Sequence, residues 1–151
     1  MYYEFIKNLE ILSKLSSEKK IRVIVKIHPS ERKCINSLKK QFKKLIFTND
    51  KIDKLFKICS ATVSYSSSVI EDSLHNRVPV ILFDQWKRYR HCESTQDTQN
   101  GKIPIYYVNN KKDLIAAINT VEKKPNYDFN RFIYDGKSKE NISRTLKNIL
   151  Y

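Results

Sequence analysis

The sequence predicts an α/β protein: a Rossmann-like three-layer sandwich with a mostly parallel sheet of about five strands and helices on both faces. Three observations lead there. Short runs rich in β-branched residues recur along the chain. Between them lie segments of helical length whose apolar residues recur at helical spacing, and such alternation implies a parallel sheet covered on both faces. Finally, 151 residues with 40% apolar content suit one domain with a sizeable core, too short for two full α/β domains.

The elements follow in order. Phe5, Leu9, Leu12 and Leu15 are spaced for an amphipathic first helix. Ile21–Ile27 is the first strand, closed by His28-Pro29, because the residue before proline avoids the helical region. Ser30-Glu31-Arg32-Lys33 can start a helix carrying Ile35, Leu38 and Phe42. Leu45–Thr48 is a short second strand, after which Asn49-Asp50 is expected to cap a helix facing Ile52, Leu55, Phe56 and Cys59 inward. Ala61–Tyr65 and Val78–Phe83 are strands flanking a helix that opens at Ser66-Ser67-Ser68-Val69-Ile70-Glu71-Asp72. Gln85–Lys102 is polar and unpatterned, a long loop of the kind that often carries function. Ile105–Val108 is a fifth strand, and Leu114, Ile115, Ile118 and Val121 mark its helix. Pro125–Gly136 is irregular and aromatic. Ile142, Leu146 and Ile149 indicate a last helix.

Lys+Arg number 29 against 16 Asp+Glu, a formal net charge of +13. Such a balance favours anionic partners. The cations are mostly Lys in an Ile- and Asn-rich chain, so AT-rich codon usage is an equally good source of the excess. No RNP, helix-turn-helix, KH or zinc-finger signature is present, which disfavours nucleic acid as partner. Cys34, Cys59 and Cys92 are odd in number, widely spaced and without a CxxC pair, the pattern of inert thiols rather than of a disulfide framework or zinc site. His91-Cys92-Glu93 has no second ligand cluster, so no metal is expected. No apolar run approaches the ~20 residues of a membrane helix. The N-terminus carries Glu4 and Glu10 and lacks a small-residue cleavage site, a poor signal peptide. A cytoplasmic location is the expectation, with peripheral contact at the inner, anionic face of the membrane left open.

Ligands of parallel α/β sheets bind outside the C-terminal ends of the strands. His28, Ser66–Ser68 and Asp84 all fall at such ends. A helix N-terminus offers free N–H groups and partial positive charge, which suit phosphate. The only two glycines, Gly101 and Gly136, open no helix after a strand, so hydroxyls and helix amides must replace a glycine-rich phosphate loop. Ser66, Ser67 and Ser68 are therefore candidate phosphate donors or plain N-caps. Glu71 can accept from ribose hydroxyls or simply favour the helix dipole. His28 can protonate or hydrogen-bond a leaving phosphate, or merely satisfy backbone groups. Trp86-Lys87-Arg88-Tyr89-Arg90-His91 can stack a base, touch an acceptor polymer or lipid, or be an ordinary basic loop.

The ordered set Lys26-Ile27-His28-Pro29-Ser30-Glu31, the serine-rich strand–helix turn, Glu71-x-x-Leu74 and the Pro79-Val80-Ile81 strand resembles the C-terminal half of GT-B glycosyltransferases. The closest likeness is to capsule and cell-wall polymer enzymes, polysialyltransferase-like and CDP-glycerol glycerophosphotransferase-like. The resemblance implies a CMP- or CDP-activated donor held by His28, Pro29, Ser66, Ser67, Ser68 and Glu71, with His28 catalytic. It implies no separate cofactor, the donor nucleotide being substrate. UDP-N-acetylglucosamine 2-epimerase shares the architecture, but Ser67 and Ser68 stand where it has glycines. A GT-B enzyme reacts between two such domains, and the acceptor-side one is not in this sequence. The chain is thus expected to be a donor-binding half, inactive without an N-terminal acceptor domain or partner chain. The alternatives are a UDP-N-acetylglucosamine 2-epimerase-like fragment and a non-enzymatic basic binding module, the latter resting on net charge.

Overall fold

A computed structural model describes residues 2–28, 33–64, 67–88 and 92–133. The chain is α/β with all described strand pairs parallel. It divides into two compact units, residues 1–58 and 59–151. The described strands form two sheets, one of two strands and one of three, where a single sheet of about five was predicted. Periodicity reports that a segment is a strand; it carries no information on which strand lies beside it.

In the first unit, α1 (Tyr2–Lys19) leads to β1 (Ile24–Lys26), α2 (Ile35–Gln41), β2 (Ile46–Thr48) and α3 (Ile52–Phe56). β1 and β2 pair in parallel, Val25 opposite Phe47. The first strand is shorter than the apolar run Ile21–Ile27, although hydrogen bonds from Ile46 N to Val23 O and from Ile27 N to Thr48 O continue the contact at both ends. The core unites Leu9 of α1 with Val25, Ile27, Leu38, Phe42, Leu45 and Phe47, with Phe5 and Leu12 packed against it at the helical spacing expected. Asn49-Asp50 does not cap α3. Lys51 holds that position with no side-chain cap bond, because Asp50 is engaged backwards: its N–H donates to Thr48 Oγ1 and its carboxylate accepts from the same hydroxyl at 2.7 Å.

The second unit holds β3 (Thr62–Ser64), α4 (Val69–His75), β4 (Val80–Phe83), β5 (Ile105–Val108) and α5 (Lys111–Glu122). The sheet order is β3-β4-β5, with Ser64 level with Leu82 and Phe83 level with Val108. All residues of β4 and β5 are buried. Val80, Leu82, Ile105 and Tyr107 share one face with Ile70 and Leu74 of α4 and with Phe129. α5 packs on β4 and β5 through a stripe that includes Leu114, Ala117 and Val121. A fully buried Leu or Val contributes about 1.5–3 kcal/mol, so these two strands anchor the unit.

The long stretch after β4 has a structural task. Parallel neighbours need a crossover of a dozen or more residues, and the described residues between Phe83 and Ile105 make no helix. They are stitched by turns: Asp97 N to Thr95 Oγ1, Gln99 N to Asp97 Oδ1, and Lys102 N and Ile103 N to Asn100 Oδ1. Thr95 pairs with Tyr106 as a parallel bridge on the outer edge of β5. Thr120 Oγ1 of α5 donates to Thr98 O at 2.7 Å. The last predicted helix, around Ile142–Ile149, lies outside the described residues. No described helix is long and apolar enough to cross a membrane.

Candidate functional site

Because β3, β4 and β5 run in parallel, their C-terminal ends open on one edge of the three-stranded sheet. Three turns meet that edge: the serine turn before α4, the Asp84–Lys87 turn, and Asn109-Asn110 before α5.

The serine turn brings Ser67, Ser68 and Glu71 together, all exposed. Ser67 Oγ accepts from Val69 N at 3.2 Å, while Ser67 O and Ser68 O accept from Ile70 N and Glu71 N, both at 3.1 Å. The first three amides of α4 are thus already engaged inside the turn. Sequence reasoning assigned helix amides a share in anion binding; here the turn offers hydroxyls instead. A hydroxyl that accepts from an amide keeps its own proton to donate outward, which leaves Ser67 a donor. Ser68 occupies the N-cap position in helical conformation and makes no side-chain cap bond. Its hydroxyl has no structural duty in the helix start, whereas Ser67, one position before the cap, holds the first helical amide, that of Val69. Glu71, with Asp72, supplies the acidic first turn. Ser66 and Pro29 lie outside the described residues. His28 is exposed just beyond the end of β1, in the first unit.

Two neighbours at the edge of the second unit are informative. Asp84, following β4, is 2% exposed, and its carboxylate accepts from Tyr107 OH at 3.1 Å. A buried carboxylate at the end of a central strand is costly to place without partners; the Tyr107 phenol defrays part of that cost. The turn is closed by Lys87 N donating to Asp84 O. Trp86 is 37% exposed, and Lys87 and Arg88 are exposed beside it. The basic aromatic run therefore begins on the same sheet edge as the serines; Tyr89, Arg90 and His91 lie outside the described residues.

Two arrangements were not anticipated. Ser73, fully buried on α4, donates to Val78 O at 3.0 Å and shares a 2.7 Å hydrogen bond with Thr62 Oγ1 of β3. Because the Ser73 proton goes to Val78, Thr62 is the donor of that pair. The link fixes α4 against β3 one helix length away from the serine turn. Ser73 sits six residues after Ser67 in a polar-looking helix, so only its position on the apolar face with Ile70 and Leu74 signalled burial. The second is a phenol pair. Tyr106 OH donates to Asn100 O, which leaves Tyr127 OH to donate to Tyr106 OH at 3.0 Å. Their rings meet edge to face at 6.2 Å, and Tyr127 repeats that geometry with Phe129 at 5.7 Å. Burial pushes both phenols upward in pKa, Tyr127 most, aided by its bond to Tyr106. The thiols behave in the same direction, with burial raising Cys59 and Cys92.

Comparisons with protein-family models, curated proteins and solved structures find no match to this chain.

Proposed function

We propose that this chain is the donor-nucleotide-binding half of a GT-B-like transferase, acting on a CMP- or CDP-activated sugar or polyol in surface-polymer synthesis, on the cytoplasmic side. The observation that carries the reading is the turn after β3. It sits at the C-terminal edge of a parallel sheet, where α/β proteins bind ligands, and presents Ser67 and Ser68 hydroxyls outward with Glu71 one turn on. In this reading Ser67 and Ser68, joined by Ser66, donate to the nucleotide phosphates. Glu71 accepts from the ribose, which also keeps its negative charge off the phosphate. The motif resemblance alone adds His28 and Pro29 to the donor-binding residues. The acceptor-side domain completes the cleft, excluding water and aligning the acceptor. The order of motifs along the sequence supports the family; the hydroxyl-rich turn supports the ligand class.

Calorimetric titration of the chain with CMP, CDP, UDP and ADP tests this. CMP or CDP should bind best and weakly, and transfer from an activated donor should be undetectable until an acceptor domain is added. Equal affinity for all four nucleotides, or no binding at millimolar concentration, removes the proposal.

A further inference from the structure

The charge of this protein is unevenly divided. Residues 1–58 hold fifteen of the 29 Lys+Arg and six of the 16 Asp+Glu, a net +9 of the total +13. Codon usage alone would not concentrate it in the shorter unit.

Within that unit the cations gather at one place. β1 and β2 are parallel, so both begin at the same edge, and both are entered from a helix C-terminus: α1 through residues 20–23 and α2 through residues 42–45. Ser16 Oγ lies across the two turns, donating to Ile21 O at 2.8 Å and lying 3.4 Å from Lys44 O. Lys20, Arg22, Lys39, Lys40, Lys43 and Lys44 are all exposed on these turns and the last helical turn of α2. Glu18 is the only acid in residues 16–26 and 35–46. Two helix C-termini carry roughly half a negative charge each, so they account for one or two of these cations, not six. Among them stands Ile46, the first residue of β2, 46% exposed. His28 follows the other end of β1, so this surface lies on the opposite edge of the β1–β2 pair.

We infer that this edge is a docking surface for a membrane rich in anionic phospholipid. Five of the six cations are lysines, point charges suited to a diffuse anionic surface rather than to bidentate recognition of one group. The exposed Ile46 on the same edge adds the apolar contact that a headgroup–acyl boundary takes up. A surface that reads bases or stacks single strands would instead call for arginine or aromatic platforms, and among the described residues no exposed aromatic accompanies this cluster. The inference stands independently of the nucleotide site, since it uses neither the serine turn nor His28.

Vesicle co-sedimentation of the whole chain tests it. The chain should bind phosphatidylcholine vesicles containing phosphatidylserine, not phosphatidylcholine alone, and binding should fall as salt is raised. Each lysine near an anionic surface is worth about fivefold in partitioning. K40Q/K43Q/K44Q should therefore lose roughly a hundredfold. K102Q/K112Q/K123Q, which removes as many exposed lysines from the second unit, should lose far less. Circular dichroism checks that both triples are folded, and K40R/K43R/K44R should restore binding by keeping the charge. Equal binding to neutral vesicles, equal losses in the two glutamine triples, or tighter retention by a duplex DNA or RNA at the same ionic strength would each overturn the inference. Should the glutamine triple fail to fold, the comparison of charged with neutral vesicles and with duplex on the native chain decides it.

Discussion

Two helices start from the same sheet edge in different ways. At α5, Asn110 is extended (φ −146, ψ 164), its side-chain oxygen accepts from Asp113 N at 2.9 Å, and its amide donates to Asp113 Oδ2 at 2.7 Å. Cap and first turn satisfy each other, and little is left to offer a ligand. At α4, Ser68 stands in the cap position without a side-chain bond, and Ser67 accepts one from Val69. The hydroxyl protons there are directed to nothing within the helix start. The contrast separates a turn built to begin a helix from a turn that also has donors to spare, and it is visible only by following every proton.

The most forceful way to break this contrast is Ser68→Ala. A hydrogen bond to a charged phosphate is worth about 1.5–3 kcal/mol, so CMP affinity should drop roughly tenfold or more while the melting temperature stays near that of the native chain. Ser67→Ala should lower both. If Ser68→Ala binds CMP as the native chain does, the spare hydroxyl is idle and the turn is structural. Next comes Asn110→Ala, which should cost about 1 kcal/mol of stability through loss of the cap and leave nucleotide affinity unchanged. Denaturant midpoints and calorimetry on the same sample read both; a loss of affinity would show that the two turns are not distinct in kind. The smallest effect concerns the phenol pair beside β5. Tyr127 is held above its ordinary value by burial first and by Tyr106 second. A group raised on folding contributes stability that is intact below its unfolded value, about pH 10, and is lost as pH climbs beyond it. Alkaline melting should therefore fall less steeply in Tyr127→Phe than in the native chain. Parallel curves would mean that the pair does not govern this end of the sheet.

Much of this architecture was legible in the residues. The alternation of β-branched runs with helical stripes placed the five described strands and the five described helices, because local burial imposes local period. Long-range pairing left no such trace. The division into two sheets, the Thr95 bridge and the Thr62–Ser73–Val78 link each depend on partners separated in sequence. The polar stretch after β4 has no apolar period, so its part in crossing from β4 to β5 left no local trace. At the candidate site, residue types located the serine turn and Glu71. They did not show that α4's amides bond within the turn, since that rests on backbone conformation at Ser68. Asp50 illustrates the same limit: an acid before a helix suggests a cap, yet Thr48 claims it first.

Thr95 has a consequence for how molecules of this protein behave toward one another. β5 is the last strand of its sheet, and a bare outer strand is a template on which another chain can add. Thr95 N donates to Ile105 O at 2.9 Å and Tyr107 N donates to Thr95 O at 2.8 Å. One residue thus occupies both backbone groups that a foreign strand would use to register itself there. The crossover guards the sheet's flank against self-association, and its removal would expose an apolar strand ready to recruit its own kind.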